Sequence, residues 1–338
     1  VVIGGSVSAW QRGNFGHFLQ ASCDRLEVVN RGKSKLGARK LRQRFVDQVL
    51  KNRRMGAQER EETWLLFLGG LNSVSMPNRT NRAVAEIFRR ARAADIRSMG
   101  LTVGPWGADY DDRWKGAEGL RYWRFTRAAV DYIMGRLTRG EAFGPEVDEP
   151  NAPVASEDLP DVAVDLYDSP LRHAEAELRS EERSRRQVRK HRRWRRELKK
   201  LEGEAKEARL EEMVQRVREI PQWYLRKELR AFDHIHPNIE GHRAIARRAC
   251  EKAPETWGCD CSRMDLLQWN RKARGLIVVE PEVPETPEDP EVPETPEVPE
   301  TPEVPETPEV PELPEVPEPI PAPQDQTMET PPNNGIEP

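Results

Sequence analysis

Short apolar runs alternate along the chain with longer segments in which apolar residues recur every three or four positions. The runs are rich in Val, Ile, Leu and Phe, which indicates buried strands of a parallel sheet, because such strands are covered on both faces. The recurring positions indicate amphipathic helices with basic side chains on the opposite face. Strands are expected at residues 1–3, 26–30, 63–68, 99–103 and 162–167, and helices at 17–23, 36–52, 81–98, 126–137 and 241–253.

The order of these elements predicts the fold class. Strands that alternate with helices at this spacing form a parallel sheet, because each crossover returns the chain to the same end of the sheet. Right-handed crossovers then place helices on both faces. We therefore expect an α/β protein, a three-layer α/β/α sandwich, with a core of residues 1–168 and 221–255.

Residues 169–220 interrupt the alternation and predict a charged helical insertion dominated by one long helix. Between residues 180 and 193 Val188 is the only apolar side chain, so this half is expected to stay out of the core. An apolar seam with helical spacing follows it. The seam consists of Trp194, Leu198, Leu201, Ala205 and Ala208.

Two further segments follow the core. Residues 256–279 form an extension that contains Cys and Trp, and residues 280–338 form a tail rich in Pro and Glu. From residue 281 to 317 proline recurs every third position, which matches the three residues per turn of polyproline II. The tail is therefore expected to be a disordered, stiff and solvated spacer without a core.

The net charge of −4 is the sum of a basic part, residues 1–279, and an acidic tail, residues 280–338. The tail holds 18 of the 58 acidic residues and no Lys or Arg, and Arg183–Lys200 holds eleven basic residues. This run could bind an anionic polymer or surface, such as acidic polysaccharide or lipid head groups, or fold onto the tail. A solvated helix face is the commoner explanation. Nucleic acid is a less favoured partner, because aromatic residues are not interleaved with the run apart from Trp194.

No run of eighteen apolar residues is present, so a membrane-spanning helix is not expected. The sequence starts without Met and directly in its first strand, which indicates a fragment or a processed form. Any targeting segment would then lie upstream of residue 1, and a secreted or cell-envelope location is favoured.

The four cysteines leave two alternatives open. Cys250 could form a disulfide with Cys259 or Cys261 in an oxidising compartment, or all the thiols could be free. Cys23 lies alone in the sequence, whereas Cys250, Cys259 and Cys261 lie together. Zinc is not expected, because the cluster lacks a fourth nearby ligand.

Ser6 and the segment Asp233–Asn238 carry the candidate chemistry. Ser6 follows an apolar run and two glycines, a position at the ligand-binding edge of an open α/β sheet. A serine nucleophile needs a nearby base held in the right tautomer, and Asp233 and His236 can supply both functions from one loop. Alternatively, Gly5-Ser6 is an ordinary turn, and Asp233 or a neighbouring histidine caps the helix that starts near Asn238.

Four blocks together resemble the SGNH hydrolase superfamily, the GDSL-type esterases and lipases. They are Gly4-Gly5-Ser6, Asn30-Arg31-Gly32, Gly70-Leu71-Asn72-Ser73 and Asp233-His234-Ile235-His236-Pro237. The resemblance implies a flavodoxin-like fold with the blocks on loops at one edge of the sheet. It also implies a triad of Ser6, Asp233 and His236, and an oxyanion hole formed by the N–H groups of Ser6 and Gly32 and the amide of Asn72.

The chain departs from the family pattern at two positions. Gly5 replaces the Asp of Gly-Asp-Ser, and Ser73 replaces the Asp of Gly-x-Asn-Asp. Three tryptophans, Trp10, Trp106 and Trp114, are expected near the catalytic edge, where they could stack on a sugar, line an acyl pocket or pack in the core.

The expected function is hydrolysis of an ester with a small acyl group, perhaps acetyl, carried by a carbohydrate. No metal or organic cofactor is required for this chemistry. Two alternatives remain open at this point: an O-acyltransferase that passes the acyl group to a saccharide, and a non-catalytic binding or scaffold protein that retains the fold.

Overall fold

The structure is a computed structural model that describes residues 1–52, 56–107, 111–173, 179–220, 225–270 and 272–279. The expected disorder of residues 280–338 lies outside this part of the chain. Within the part described, no helix is both long and apolar enough to cross a membrane.

A parallel sheet of four strands forms the centre of the fold, in the order β1–β2–β3–β4. The expected strand at 26–30 is reduced to one bridge, in which Asn30 pairs with Val2 on the outer side of β1. If the segment that ends at Asn30 is counted as the second of five strands in sequence, the spatial order is the flavodoxin-like 2-1-3-4-5. The strands are β1 (Val2–Gly4), β2 (Trp64–Leu68), β3 (Arg97–Leu101) and β4 (Val162–Val164).

Eleven α-helices occur in the described residues. The helix expected at residues 81–98 begins earlier, at Pro77, because proline suits the first helical position, and Thr80 and Asn81 are buried inside it. A π-helical segment, Val46–Leu50, continues α3. The helices are α1 (Ser6–Ala9), α2 (Phe15–Ser22), α3 (Ala38–Phe45), α4 (Ala57–Glu61), α5 (Pro77–Arg92), α6 (Gly116–Ile133), α7 (Arg139–Phe143), α8 (Glu181–Lys190), α9 (Arg192–Leu198), α10 (Gly203–Arg218) and α11 (Ile239–Cys250).

The sheet is covered on both faces, which confirms the three-layer sandwich. Successive side chains of β2 point to opposite faces. Leu66 and Leu68 join a core cluster with α2 and α11, whereas Leu65 and Phe67 join another with α3, α5 and α7. The apolar runs in the strands are therefore buried on both faces, as their composition indicated.

The insertion is helical and charged, but it consists of three helices, α8, α9 and α10, rather than one long helix. The expected seam is wrong at Ala205 and Ala208, which are exposed. Val188, expected to stay out of the core, is fully buried, because α8 packs against α10 and α6. A third apolar cluster joins the insertion to the core through Val188, Leu198, Leu210, Val214, Trp106 and Trp114.

Two disulfides attach the C-terminal extension to the core. Cys250 bonds to Cys261, one of the two expected pairings, whereas Cys23, which lies alone in the sequence, bonds to Cys259. Cys23 and Cys259 are 236 residues apart, so sequence spacing gave no signal for this pair. An antiparallel hairpin, β5 (Leu267–Asn270) and β6 (Gly275–Val278), completes the extension.

Candidate active site

Three of the four blocks lie at the point where the strand order reverses. Ser6 begins α1 directly after β1, Asn72 follows β2, and Gly32 follows the segment that pairs with the outer side of β1. Open α/β sheets bind ligands at the carboxyl ends of their strands at this switch point. The sheet topology thus brings together residues that are up to 66 positions apart.

The fourth block brings a base to the serine. His236 Nε2 lies 2.6 Å from Ser6 Oγ, and His236 Nδ1 lies 2.5 Å from Asp233 Oδ2. Ser6 and His236 are 230 positions apart in sequence, so only the tertiary fold can create this contact. The arrangement is a continuous chain of hydrogen bonds from hydroxyl to imidazole to carboxylate.

The loop of Asp233 is shaped by its own carboxylate. Asp233 Oδ1 accepts hydrogen bonds from the N–H groups of Ile235 and His236. Asp233 Oδ2 forms a hydrogen bond with His236 Nδ1. The cap of α11 is Asn238, whose side chain accepts the N–H of Gly241 at 2.9 Å. Asp233 is therefore available to His236 and does not serve as the helix cap.

These hydrogen bonds also determine the charge of Asp233. Burial by itself raises the pKa of Asp233, but the backbone N–H and ring of His236 and the N–H of Ile235 hold that pKa below its usual value. The carboxylate is consequently ionised at neutral pH. An ionised carboxylate can orient the imidazole and stabilise the imidazolium that forms when Ser6 loses its proton.

The three groups expected to form the oxyanion hole differ in their present hydrogen bonds. Ser6 is the first residue of α1, so its N–H has no partner within the helix. The Asn72 amide donates to Leu36 O at 3.2 Å and lies 3.4 Å from the place of a Cβ on Gly5. The N–H of Gly32 donates to Asn30 Oδ1 at 2.8 Å.

Gly32 is required for a reason that the sequence did not reveal. A Cβ on Gly32 would lie 2.7 Å from the backbone of Ser8 and Ala9 in α1. Asn30 reinforces the same contact, because its amide donates to Ser8 O at 2.7 Å. Close packing of this loop against α1, which carries Ser6, therefore excludes any larger residue at position 32.

The strand order, the blocks at the switch point and the bonded Ser6, His236 and Asp233 agree with one fold family. The fold is flavodoxin-like, as the resemblance to SGNH hydrolases implied. No family model and no curated protein matches the sequence. A solved structure that matches is a protein from Desulfitobacterium hafniense assigned to the G-D-S-L lipolytic family, with 14% identity and a TM-score of 0.38. The match covers 75% of this chain and 97% of the other.

The departure from the SGNH pattern at Ser73 is compensated locally. Ser73 Oγ accepts the N–H of Ala38, the first residue of α3, at 3.1 Å, and donates to Gly70 O at 3.2 Å. The Thr80 hydroxyl also bonds to Ser73, at 2.7 Å from the carbonyl oxygen and 3.0 Å from Oγ. Gly70 precedes Asn72 with a φ of 100°, a conformation that favours glycine. The loop that carries Asn72 is thus held without the aspartate.

A second Asp–His pair lies beside the hydrogen-bonded Ser6, His236 and Asp233, and the sequence did not predict it. His234 Nε2 lies 3.0 Å from Asp111 Oδ2, and the same carboxylate binds the guanidinium of Arg113. Burial raises the pKa of Asp111, but these partners lower it overall to about 2. Arg113 also stacks over Trp106, 4.8 Å from the ring centroid. No pattern in sequence connects residues 123 positions apart.

Of the three tryptophans expected near the site, two are buried in the core and one is partly exposed. Trp106 and Trp114 are each 1% exposed, with ring centroids 4.8 Å apart, so they pack in the core and cannot stack on a substrate. Trp10 is partly exposed, and its ring lies 6.1 Å from that of His242. His242 is fully buried, and its ring nitrogens have no hydrogen-bond partner in the described part of the chain.

A small apolar cavity lies next to the segments that carry Ser6, Asn72 and His236. Its volume is about 30 Å³, and it is lined by the chain neighbours of the site residues, including Val7, Leu71, Ile235 and Pro237. A volume of about 15–30 Å³ accommodates one water-sized or methyl-sized group. The site therefore has apolar space for a short group and little more.

One candidate metal cluster occurs among the described residues. The sulfurs of Cys23, Cys250 and Cys259 lie within 4.8 Å of one another, so the fold brings Cys23 to the cysteines of the extension. All four cysteines are bonded in disulfides, and a metal requires the thiolate form. These sulfurs serve as cross-links in this structure.

Proposed function

We propose that the protein is a serine ester hydrolase that removes a small acyl group through an acyl-enzyme intermediate. The observation that carries the proposal is the hydrogen-bonded chain of Ser6, His236 and Asp233. A serine hydroxyl, a histidine and a carboxylate at these distances form the arrangement required for acyl transfer.

In the first half-reaction His236 Nε2 accepts the proton of Ser6 as Oγ attacks the ester carbonyl carbon. The C–O bond to the alcohol then breaks, and His236 returns the proton to the leaving oxygen. In the second half-reaction water gives a proton to His236 and attacks the acyl carbon, and the Ser6 ester breaks as Oγ recovers the proton. Asp233 keeps His236 in the required tautomer throughout.

The oxyanion that forms in each half-reaction requires donors aimed at it. We assign this role to the N–H of Ser6 and the amide of Asn72, with Gly32 as the third donor. The N–H of Gly32 must first exchange its bond to Asn30 for one to the substrate. Each such donor contributes roughly 3 kcal/mol to the stabilisation of a transition state.

The size of the acyl group follows from the apolar cavity. A space of about 30 Å³ suits an acetyl methyl and excludes a long chain unless the side chains around it move. Acetyl esters of alcohols such as sugars are therefore the substrate class that we favour. The reaction needs no metal or organic cofactor.

The test is hydrolysis of p-nitrophenyl esters by the wild-type chain and by Ser6→Ala, with Ser34→Ala as a control that removes an exposed hydroxyl from the loop after Gly32. Ser6→Ala and His236→Ala should lose at least about a thousandfold in kcat/KM. Ser34→Ala should retain activity, and acetate should be preferred to octanoate. Equal rates in folded wild type and Ser6→Ala would refute the proposal.

A further inference from the structure

The charged residues of the insertion fall into two groups that sequence does not separate. On α8 and α10 most of the arginines are paired with glutamates. Arg185 binds Glu181 and Glu207, with Nη to Oε distances of 3.2 and 2.6 Å, and also contacts Glu211. The pairs with Glu207 and Glu211 join α8 to α10.

The cations of α9 and the turn after it have no such partners. The six are Arg192, Arg193, Arg195, Arg196, Lys199 and Lys200, and none of them makes an ion pair with another described residue. Glu197, the one acidic residue in this stretch, binds Arg209 of α10 at 2.7 Å. Like charges this close repel one another, so their clustering costs free energy that an anionic ligand would recover.

This part of the insertion is concave. Two adjoining cavities of about 430 and 580 Å³ share His191, Arg193 and Glu197 as lining residues. Arg196 and Lys200 line one cavity, and Arg121 and Arg216 line the other. Together they form one groove, which we call the α9 groove. Its cations without an ion pair among the described residues lie on the α9 side, since Arg121 and Arg216 pair with Glu118 and Glu212.

The α9 groove also offers aromatic surfaces. Trp194 and Phe125 line the cavity of about 430 Å³, and the ring of His191 lies 5.4 Å from that of Trp194. Trp194 is partly exposed, so part of its indole remains accessible to a ligand. Aromatic rings beside cations suit a ligand that combines anionic groups with apolar C–H faces, as the rings of acidic sugars do.

The groove is held in place by the core beneath it. Leu198 of α9 is 6% exposed, and Leu210 and Met213 of α10 are 4% and 2% exposed, all in the cluster that contains Trp106 and Trp114. The basic side chains therefore project from a fixed support. A fixed support lowers the entropy lost on binding.

We propose that the α9 groove binds an acidic polysaccharide through its sulfate or uronate groups. The groove is concave, which suits a chain better than a flat lipid surface. The two disulfides indicate an oxidising compartment, where acidic glycans are available and nucleic acids are scarce. The proposal rests on charge and shape in the insertion and does not depend on ester hydrolysis at Ser6.

Fluorescence anisotropy of the full chain tests the proposal, with labelled heparin octasaccharide and labelled oligogalacturonate as sulfate and uronate probes. The variant is Arg193→Ala with Arg196→Ala, both exposed. The matched control is Arg39→Ala with Lys40→Ala, which removes two exposed cations from α3. The groove variant should bind the preferred glycan about tenfold more weakly, the control should bind as wild type does, and Arg193→Lys with Arg196→Lys should retain most of the affinity.

Three results would overturn the proposal: neither glycan binds at 50 mM salt, the groove variant and the control weaken equally, or a single-stranded DNA 20-mer or phosphatidylserine vesicles bind more tightly than both glycans. Hydrolysis of p-nitrophenyl acetate is measured on the same samples and should be equal in all of them. A failure of glycan binding is thereby distinguished from a failure of the esterase.

Discussion

His234 Nε2 lies 3.0 Å from Asp111 Oδ2, which ties the loop of the candidate base to a segment that precedes α6. The backbone repeats the connection, because the N–H of Gly107 donates to His234 O at 3.2 Å. His234 has a φ of 51°, a left-handed conformation that is uncommon for histidine. Contacts from outside the loop therefore hold the strained residue that lies two positions before His236.

We expect Asp111→Asn to lower kcat/KM for p-nitrophenyl acetate about tenfold, because a loosened loop spends less time with His236 aligned on Ser6. The loss should appear mainly in kcat, with KM and the circular dichroism spectrum unchanged. Asp112→Asn is the matched control, since Asp112 is exposed and binds only Lys115 among the described residues. An equal effect of the two substitutions would show that the contact with His234 does not position the loop.

The adjacent glycines Gly4 and Gly5 should respond oppositely to alanine. A Cβ on Gly4 would overlap Ser8 Oγ and Leu68 O, so Gly4→Ala should destabilise the fold by about 2 kcal/mol. A Cβ on Gly5 would meet only Asn72 Nδ2, at 3.4 Å, and the φ of −81° suits any residue. Gly5→Ala should therefore gain about 0.5 kcal/mol by restricting the unfolded chain.

Urea unfolding of both glycine variants measures these changes. The Gly5 result also bears on the missing aspartate of the SGNH pattern, because space for a side chain beside the Asn72 amide exists in this protein. A strong destabilisation by Gly5→Ala would contradict the geometry described for this turn.

Stability should fall as the pH is lowered below about 6.5, because of His242. Burial lowers the pKa of His242 to about 3, whereas an unfolded histidine titrates near 6.5. Between these two values the unfolded chain binds a proton that the folded chain excludes. The free energy of unfolding should thus decrease by up to about 1.4 kcal/mol for each pH unit, from about pH 6.5 downward.

His242→Phe removes this titration and keeps an aromatic ring beside Trp10. Its stability loss between pH 7.5 and pH 5 should be smaller than that of wild type by about 2 kcal/mol, measured by urea unfolding at both values. The same loss in wild type and variant would mean that His242 does not titrate as its burial requires.

The two disulfides should differ in their contribution to stability. In the chain-entropy model a bond that closes a longer loop constrains the unfolded chain more. Replacing Cys23 and Cys259 together with serine should cost about 5 kcal/mol, and replacing Cys250 and Cys261 about 3 kcal/mol. Unfolding midpoints of the two double variants, each free of unpaired thiols, test the order, and the reverse order would contradict it.

The sandwich could be predicted from strong local patterns, and the proximity of Ser6 and His236 was expected from the resemblance of the four blocks to SGNH hydrolases. Strands buried on both faces give uninterrupted apolar runs such as 64–68, and the block at 233–238 carries its acid and base three residues apart. The partner of Cys23 and the contact of His234 with Asp111 could not be predicted. In each case the two residues are far apart in sequence, and no repeating pattern of residue types connects them.

The insertion shows a different limit of sequence reasoning. From Val188 to Leu210 a single helix would extend about 33 Å, too far for both side chains to reach one compact apolar cluster. The chain therefore breaks at His191, which is extended, and at Gly203, which has a φ of 52°. Charged residues recur with helical spacing on both sides of these two breaks, so their pattern does not show where one helix ends and the next begins.

The bond between Cys23 and Cys259 also changes how far apart the nucleophile and the base are along the covalent structure. Through the backbone Ser6 and His236 are separated by 230 residues. Through the disulfide the path runs 17 residues from Ser6 to Cys23 and 23 from Cys259 to His236, about 40 in all. This shorter tether raises the concentration of His236 around Ser6 in the unfolded, oxidised chain roughly tenfold. Oxidation therefore brings the two halves of the site near each other before any strand has formed.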